Sequence, residues 1–423
     1  MLNGTLNFSS RKNRTMSMRG TCFCRNCNSP LENVVLALGL QPLSNALVSE
    51  GSSKTLENYP LDFRICSSCK LGQIGEYKNP DEIFQDYTYL SSTSSYWLNH
   101  ARNYVELIKE SGILRRNDLV IEIASNDGYL LQYFQKENYN VLGIEPAKNV
   151  AEIARNRGIP TQIEFFGKNL AIKLIEKKLS PKLVICNNVL AHVPDINDFM
   201  EGLAILIGEG AIVTIEAPSM LTLLENNLFD TIYHEHFSYL NVISVDILVS
   251  KFNLHLYHVE FLESHGGSYR YWLGNEKTKR DSSVDFYLEK EKNFNFSSKV
   301  IQKNFRDNSL EAIQGFRDWC LSQQHTPIGF GAAAKATVLL NAANITASEF
   351  SVIADNSLAK QKKLIPGANI PILNPTEVFN NFSSNLIIFP WNLSKEILLE
   401  INIKYPKFKG EIWTALPRLQ RIS

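Results

Sequence analysis

A chain of 423 residues exceeds the roughly 250–300 residues at which a single core stops growing, so two or three domains are expected. Its 43 basic side chains balance 43 acidic ones, which argues against a nucleic-acid face or an anionic membrane surface as the main partner. Apolar residues make up an ordinary globular 44%, but every apolar run is strand-sized and broken by Gly or charge, so no membrane span is expected.

Residues 1–20 are rich in Ser, Asn and Arg and lack an apolar stretch, which reads as a disordered leader rather than a secretory signal. The segment 21–78 is short, turn-rich and carries Cys24-Arg25-Asn26-Cys27 and Cys66-Ser67-Ser68-Cys69. Each pair can present two thiolates from a knuckle turn, and two knuckles complete a tetrahedral sulfur site for zinc. Four sulfur ligands leave no open coordination position, so the expected Zn2+ on Cys24, Cys27, Cys66 and Cys69 is structural. Cys22 is a spare that could replace Cys24. Such clusters fit a reducing compartment, hence a cytoplasmic location, better than a disulfide framework.

From 79 to 245, strand-like runs alternate with helical patterns: Leu119–Ile123, Val141–Glu145, Leu183–Cys186 and Ala211–Glu216. Such alternation predicts a parallel sheet with crossover helices. The first run passes into Ala124-Ser125-Asn126-Asp127-Gly128 and then into the helical pattern of Leu130, Leu131 and Phe134. In a doubly wound sheet, that strand–loop–helix lets a ligand approach backbone N–H groups at a helix N-terminus. Glu145, closing the next run, is placed to accept hydrogen bonds from ribose hydroxyls. Together these features predict a nucleoside cofactor.

Histidines follow the later strands. His192 lies in Leu190-Ala191-His192-Val193-Pro194-Asp195, and Phe229–Tyr239 packs Tyr233, His234, Glu235 and His236 together. His265-Gly266-Gly267-Ser268 comes next. The carboxyl ends of parallel strands are where ligands sit, and a near-neutral pKa suits proton transfer. One histidine would abstract a proton while Glu235 and Tyr233 orient and polarise. These residues leave open which histidine acts. They also leave open a metal held by His234 and His236, or simply satisfied structural histidines.

The final stretch, 246–423, holds two strand-like segments (Leu254–Phe261 and Ser268–Leu273) and a long charged helix from about Val284 to Gln323. The α/β theme then restarts. Pro327–Gly331 runs into Ala332-Ala333-Ala334-Lys335, further strands are expected at Phe350–Ala354 and Asn385–Phe389, and Asp355 closes one of them. A second, smaller Rossmann-like unit is predicted. Its glycine loop could cradle a phosphate with Lys335 as a point charge, or only allow close helix–strand packing. Two such loops would let one chain hold a cofactor and a nucleotide-activated substrate.

These motifs, together with Leu38–Asn45, Asn187–Asp195 and Pro390-Trp391-Asn392-Leu393, stand in one order along the chain. In that order they resemble the bacterial S-adenosylmethionine-dependent sugar C-methyltransferases, from Cys24 to about Pro417. The resemblance implies an α/β class I methyltransferase sheet between a small N-terminal zinc-binding domain and a C-terminal Rossmann-like domain. It also implies S-adenosylmethionine as methyl donor and a nucleotide-linked (dTDP) 4-keto-deoxysugar as acceptor. A base removes the acidified C–H proton beside the keto group, and the enolate takes the methyl.

By the same resemblance His236 is the base, with Tyr233 and Glu235 beside it and His192 contacting the sugar. The cofactor falls to Glu122, Ala124, Asn126, Gly128, Glu145, Asn187 and Asn188, and the substrate to Tyr89, Ser91, His265 and Lys335. Ala124 and Asn126 stand where methyltransferases more commonly have glycine, a departure the subfamily shares. The expected partner is a small molecule, without nucleic acid or membrane, and the expected state a monomer. Two competitors differ in class. An NAD(P)-dependent oxidoreductase would need the G-x-G-x-x-G that the Ala124 loop lacks, and a zinc-ribbon RNA methyltransferase would need a basic stripe.

Overall fold

The computed structural model describes residues 22–52, 56–78, 90–208, 210–275 and 277–423, the Cys22 side chain excepted. The expected leader and Tyr89 therefore lie outside the described residues. Strands β1 (Val34–Pro42) and β2 (Asn58–Ile65) form the antiparallel pair that dominates the first unit, followed by the short β3 (Gly72–Gln73). Leu36, Leu61 and Phe63 turn inward from this pair and are fully buried.

A seven-stranded sheet follows the first helix, α1 (Ser95–Glu110). Its elements are β4 (Leu119–Ile123), α2 (Leu131–Lys136), β5 (Asn140–Ile144), β6 (Thr161–Gln162), β7 (Pro181–Asn187), α3 (Ile196–Leu206) and β8 (Ile212–Pro218). Two further strands, β10 (Leu254–Leu262) and β11 (Ser268–Asn275), complete it after an excursion through β9 (Ser238–Tyr239). The spatial order is β6-β5-β4-β7-β8-β11-β10, parallel except at β10 and β11. Covered on both faces, β4 and β7 read as nearly unbroken apolar runs, and Val120, Ile121 and Leu183 to Cys186 are fully buried. The sheet runs past the boundary expected at 245/246, because its last two strands are β10 and β11.

The single helix expected over Val284–Gln323 is two helices, α4 (Ser282–Phe294) and α5 (Lys299–Ser322). Asn295 ends the first in the left-handed region (φ 57°), and the Ser298 hydroxyl accepts from Ile301 N–H to start the second. Both signals are local cap chemistry hidden inside a continuous charged pattern.

The last unit restarts with β12 (Ile328–Phe330), α6 (Ala334–Ala342), β13 (Val352–Ala354), β14 (Pro371–Leu373), β15 (Leu386–Ile388) and β16 (Ile412–Thr414). Its parallel core runs β14-β13-β12-β15-β16, the same third-second-first-fourth-fifth order as the larger sheet. The three units share one interior: Leu36 and Phe63 pack with Met220, Phe229 and Tyr239, and that cluster continues to Phe316, Ala336 and Phe389. No helix among the described residues is long and apolar enough to cross a membrane.

Candidate active site

All three units face a common cavity of about 1790 Å³. A single small-molecule site usually takes roughly 300–1,000 Å³, so this one has room for two ligands side by side. Ser91, Ala124, Asn126, Glu145, Asn187, Asn188, His192, Tyr233, Glu235, His236, His265 and Lys335 all line it. Sequence positions 91 to 335 thus converge on one space.

The loop after β4 shows why its residues are unusual. Ala124 (φ 57°), Asn126 (φ 50°) and Gly128 (φ 77°) are all left-handed, so two side chains occupy conformations that glycine adopts without strain. The return is inward. Ala124 and Ser125 N–H groups donate to the Ile144 carbonyl at 2.7 and 3.2 Å, and Asn126 N–H donates to Glu145 Oε2 at 3.0 Å. The expectation that these amides meet the ligand is corrected: they hold the tip of β5, and side chains face the cavity instead. Glu145 Oε1 accepts Ala147 N–H at 2.9 Å, and burial pushes its carboxyl up to about 7 against those amide bonds.

Glu122 and Gly128 do not line the cavity. Glu122 is buried behind the loop with Oε2 unpartnered, and burial raises its pKa well above the usual range. A Cβ on Gly128 would lie 2.9 Å from Ile159 Cγ1, so this glycine seats the loop against its neighbour. Asn187, at the end of β7, keeps both amide atoms buried without partners, as does the Asn188 Oδ1. Orphaned groups of this kind around an apolar-and-polar cleft suit a nucleoside bearing several hydrogen-bonding atoms.

Across the cavity, His236 and Tyr233 form one unit. His236 Nδ1 donates to the Thr231 carbonyl at 3.1 Å, which leaves Nε2 as acceptor, 2.7 Å from the Tyr233 hydroxyl. His192 stands beside it, ring centroids 4.6 Å apart, with Nδ1 donating to the Glu235 carbonyl at 2.7 Å. Burial, then the neighbouring His192, drives the His236 pKa well below 6.5; burial takes His192 to about 4. Both are therefore neutral imidazoles at neutral pH.

His234 points elsewhere, donating to the Pro60 carbonyl at 3.3 Å and packing edge-on to Tyr59 and Tyr77. It is a structural histidine held through Nε2, its Nδ1 buried without a partner, and it forms no metal pair with His236. Glu235 does not orient His236 through its carboxylate. Its Oε1 accepts from the Asn45 backbone N–H at 3.0 Å and side-chain amide at 3.3 Å, while Oε2 is buried without a partner.

Sequence reasoning missed a buried network that carries this wall. Glu216, at the end of β8, accepts from His100 (2.8 Å), Arg270 (2.9 Å) and the Ser264 hydroxyl (2.9 Å), and its backbone carbonyl accepts Asn188 N–H at 2.7 Å. One residue thereby ties α1, the His265 turn and the Asn188 loop together. Burial alone would raise its pKa, but His100, Arg270 and Ser264 outweigh burial and hold it at about 2. We expect Glu216→Gln to lower stability by about 1.5–3 kcal/mol in urea unfolding, because the buried Arg270 loses its fully buried partner and keeps only the part-exposed Glu260. Since the folded pKa lies below the unfolded one, the wild-type advantage should be full above about pH 4.5 and fade as pH falls toward 2.

In the smaller sheet the loop chemistry repeats. Gly331 N–H donates to the Ala354 carbonyl at 2.7 Å, Ala332 N–H to Asp355 Oδ2 at 2.8 Å, and Ser357 N–H to Asp355 Oδ1 at 2.8 Å. Each bond has its counterpart at Ala124, Asn126 and Ala147. An acid at the tip of the second strand was the signal, and Asp355 lines the same cavity.

Away from the cavity, the Sγ atoms of Cys24, Cys27, Cys66 and Cys69 all lie within 4.8 Å of one another. Cys24–Cys69 and Cys27–Cys66 are each 3.5 Å apart, near the ~3.8 Å that a tetrahedron of ~2.3 Å zinc–sulfur bonds requires. Gln73 Nε2 donates to Cys24 Sγ at 3.2 Å, an outer contact that steadies a thiolate ligand. Zinc fits these residues, and all four ligands are thiols.

The knuckle also grips the histidine loops. The Arg25 guanidinium donates to the Pro194 and Ile74 carbonyls at 3.1 and 2.6 Å and lies over the Phe237 ring.

Strand order, the acid-tipped β5 and the cavity at the strands' carboxyl ends define a class I methyltransferase unit. Residues 24–84 match the family described as "Putative zinc binding domain", 96–259 "Methyltransferase domain", and 263–417 "C-methyltransferase C-terminal domain". The chain is 29% identical over 385 residues to C-methyltransferase NovU of Streptomyces niveus, covering 89% of this chain and 91% of NovU. Among solved structures, magnesium protoporphyrin IX methyltransferase of Synechocystis aligns at 12% identity over 46% of this chain and 88% of its own, with a TM-score of 0.32. A methyltransferase of Anabaena variabilis aligns at 11% over 47% and 92%, with a TM-score of 0.36. In series these matches make the chain an S-adenosylmethionine-dependent C-methyltransferase with a zinc-binding domain, similar to NovU along most of its length.

Proposed function

We propose that this enzyme methylates a carbon atom beside the keto group of a nucleotide-linked 4-keto-deoxysugar, with dTDP as the nucleotide. One observation carries the reading: two acid-tipped half-sheets open onto one cavity, and a neutral His236–Tyr233 pair lines it as well. The first half-sheet takes the cofactor, with Asn126, Glu145, Asn187 and Asn188 on its polar groups; bound S-adenosylmethionine supplies an electrophilic methyl. The second takes the nucleotide of the substrate, with Asp355 on the ribose and Lys360 and Lys363 at the same rim. The sugar then spans the gap toward His236.

A C–H proton beside a ketone is acidic enough for an imidazole, and the buried Nε2 of His236 accepts it. At rest the Tyr233 hydroxyl occupies the lone pair of that nitrogen, so the tyrosine turns aside as substrate enters and frees Nε2, while His192 bounds the sugar on the other side. Trp97 and Tyr96 wall off the site, which limits competing reaction with water. The residues given these roles all come from one chain, in keeping with a monomer. Four thiols kept free for zinc suit the reducing cytoplasm.

Calorimetry should find S-adenosylhomocysteine and dTDP bound together, and NAD bound nowhere. Mass spectrometry across dTDP-, UDP- and GDP-linked keto sugars should find one added methyl group. Asp355→Asn should weaken dTDP about 10- to 100-fold, as for a lost hydrogen bond to a charged group, and leave S-adenosylhomocysteine unaffected. Nicotinamide binding, or methylation of RNA alone, would overturn the reading.

A further inference from the structure

The Pro390–Leu393 segment meets Lys335. Its Trp391 lays the indole under Nζ, 3.9 Å from the ring centroid, and Asn392 Oδ1 accepts from Nζ at 2.8 Å. Asp230, whose charge reaches this ammonium, is held off it: its Oδ2 accepts the Trp391 indole N–H at 2.8 Å instead. The indole is wedged against the His265 turn. Gly266 is left-handed (φ 85°), and a Cβ there would come within 2.5 Å of the Trp391 ring. Lys335, His236 and His265 all line the cavity, and the lysine's charge acts on both histidines.

Resting on the function proposed above, we propose that Lys335 is a catalytic residue whose Nζ donates to the keto oxygen of the acceptor sugar and holds the enolate. The chemistry balances without another reactant. His236 Nε2 takes the proton, the C–H electron pair becomes the C=C bond, and the carbonyl π pair moves onto the oxygen that Lys335 holds. When that pair returns, the carbon bonds the donor methyl, the C–S pair leaves on sulfur, and the ketone re-forms. The proton on His236 passes to solvent.

Charge placement favours this role over a phosphate contact. A neutral His236 that takes a proton becomes a second cation in the cavity within reach of the Lys335 charge, which is unfavourable unless negative charge appears between them. An enolate oxygen supplies that charge only as the proton leaves, so the arrangement stabilises the transition state more than the ground state. A pyrophosphate at Lys335 would neutralise the ammonium from the start. Burial lowers the lysine to about 8 against the opposing pull of Asp230, so it remains a cation at neutral pH.

The test is deuterium uptake from D2O into dTDP-4-keto-6-deoxyglucose with S-adenosylhomocysteine bound, which reads enolate formation apart from methyl transfer. Wild type should exchange the proton beside the ketone. Lys335→Met should slow both exchange and methylation about 10²–10³-fold at saturating substrate, with dTDP and S-adenosylhomocysteine affinities near wild type. Lys335→Arg, which keeps the cation, should recover part of the exchange. Exchange at the wild-type rate with weakened dTDP binding in Lys335→Met would overturn the proposal and return the lysine to the phosphates. A wild-type enzyme inert toward every keto sugar would overturn the substrate reading, and this role with it.

Discussion

Replacing His236 by asparagine is expected to lower the rate of methyl transfer on the order of 10²–10⁴-fold, the range a positioned general base contributes. Asparagine keeps a donor for the Thr231 carbonyl, so the loop should stay folded, but it offers no basic nitrogen to the substrate. S-adenosylhomocysteine affinity, measured by calorimetry, should stay within about twofold, because the proposed cofactor residues Asn126, Glu145 and Asn187 lie on other elements. Deuterium exchange into the keto sugar should vanish in parallel with turnover. Full activity in this variant would remove His236 from the role and leave His192, 4.6 Å away between ring centroids, as the next base to test.

Loss of a zinc ligand should act on the whole molecule. For Cys66→Ser we expect one zinc lost by elemental analysis and a melting temperature lower by on the order of 10 °C. Cys66 is fully buried, and removing it leaves three thiols crowded without the cation that would hold them. The damage should reach the active site through Arg25, which braces Pro194 and Phe237 near His192 and His236, and through the pairing of β3 with β9. Well below the melting temperature, turnover should therefore fall less than stability does. A variant as stable as wild type, cofactor-bound yet inactive, would contradict a structural metal.

Much of this was readable from the chain. Both acid-tipped second strands, ending at Glu145 and Asp355, follow from apolar runs closed by a carboxylate, and the four cysteines follow from their spacing. Contacts between distant segments were not readable. His234 and His236 are two residues apart and look equivalent, yet one turns to Pro60 and the other to Tyr233, a choice made by tertiary packing. Glu216 looks like any strand end until Arg270, Ser264 and His100 arrive from three other elements. Lys335 reads as a phosphate ligand because its loop resembles one; only Trp391 and Asn392, more than fifty residues on, reveal where its ammonium is held.

The pairing of β9 with β3 has a consequence for engineering. Ser238 and Tyr239 sit opposite Gln73 and Gly72, so the segment that carries His236 is stitched to the zinc-bearing unit, and Leu240 bridges it to Ser219 just past β8. The proposed donor-binding layer and the proposed base thus belong to different modules of one enzyme. On the proposed roles, a chimera that exchanges only the C-terminal unit between relatives would inherit a new nucleotide grip and a new Lys335 but keep the parent's His236. To transplant that base, residues 22–78 and 229–239 would have to travel together.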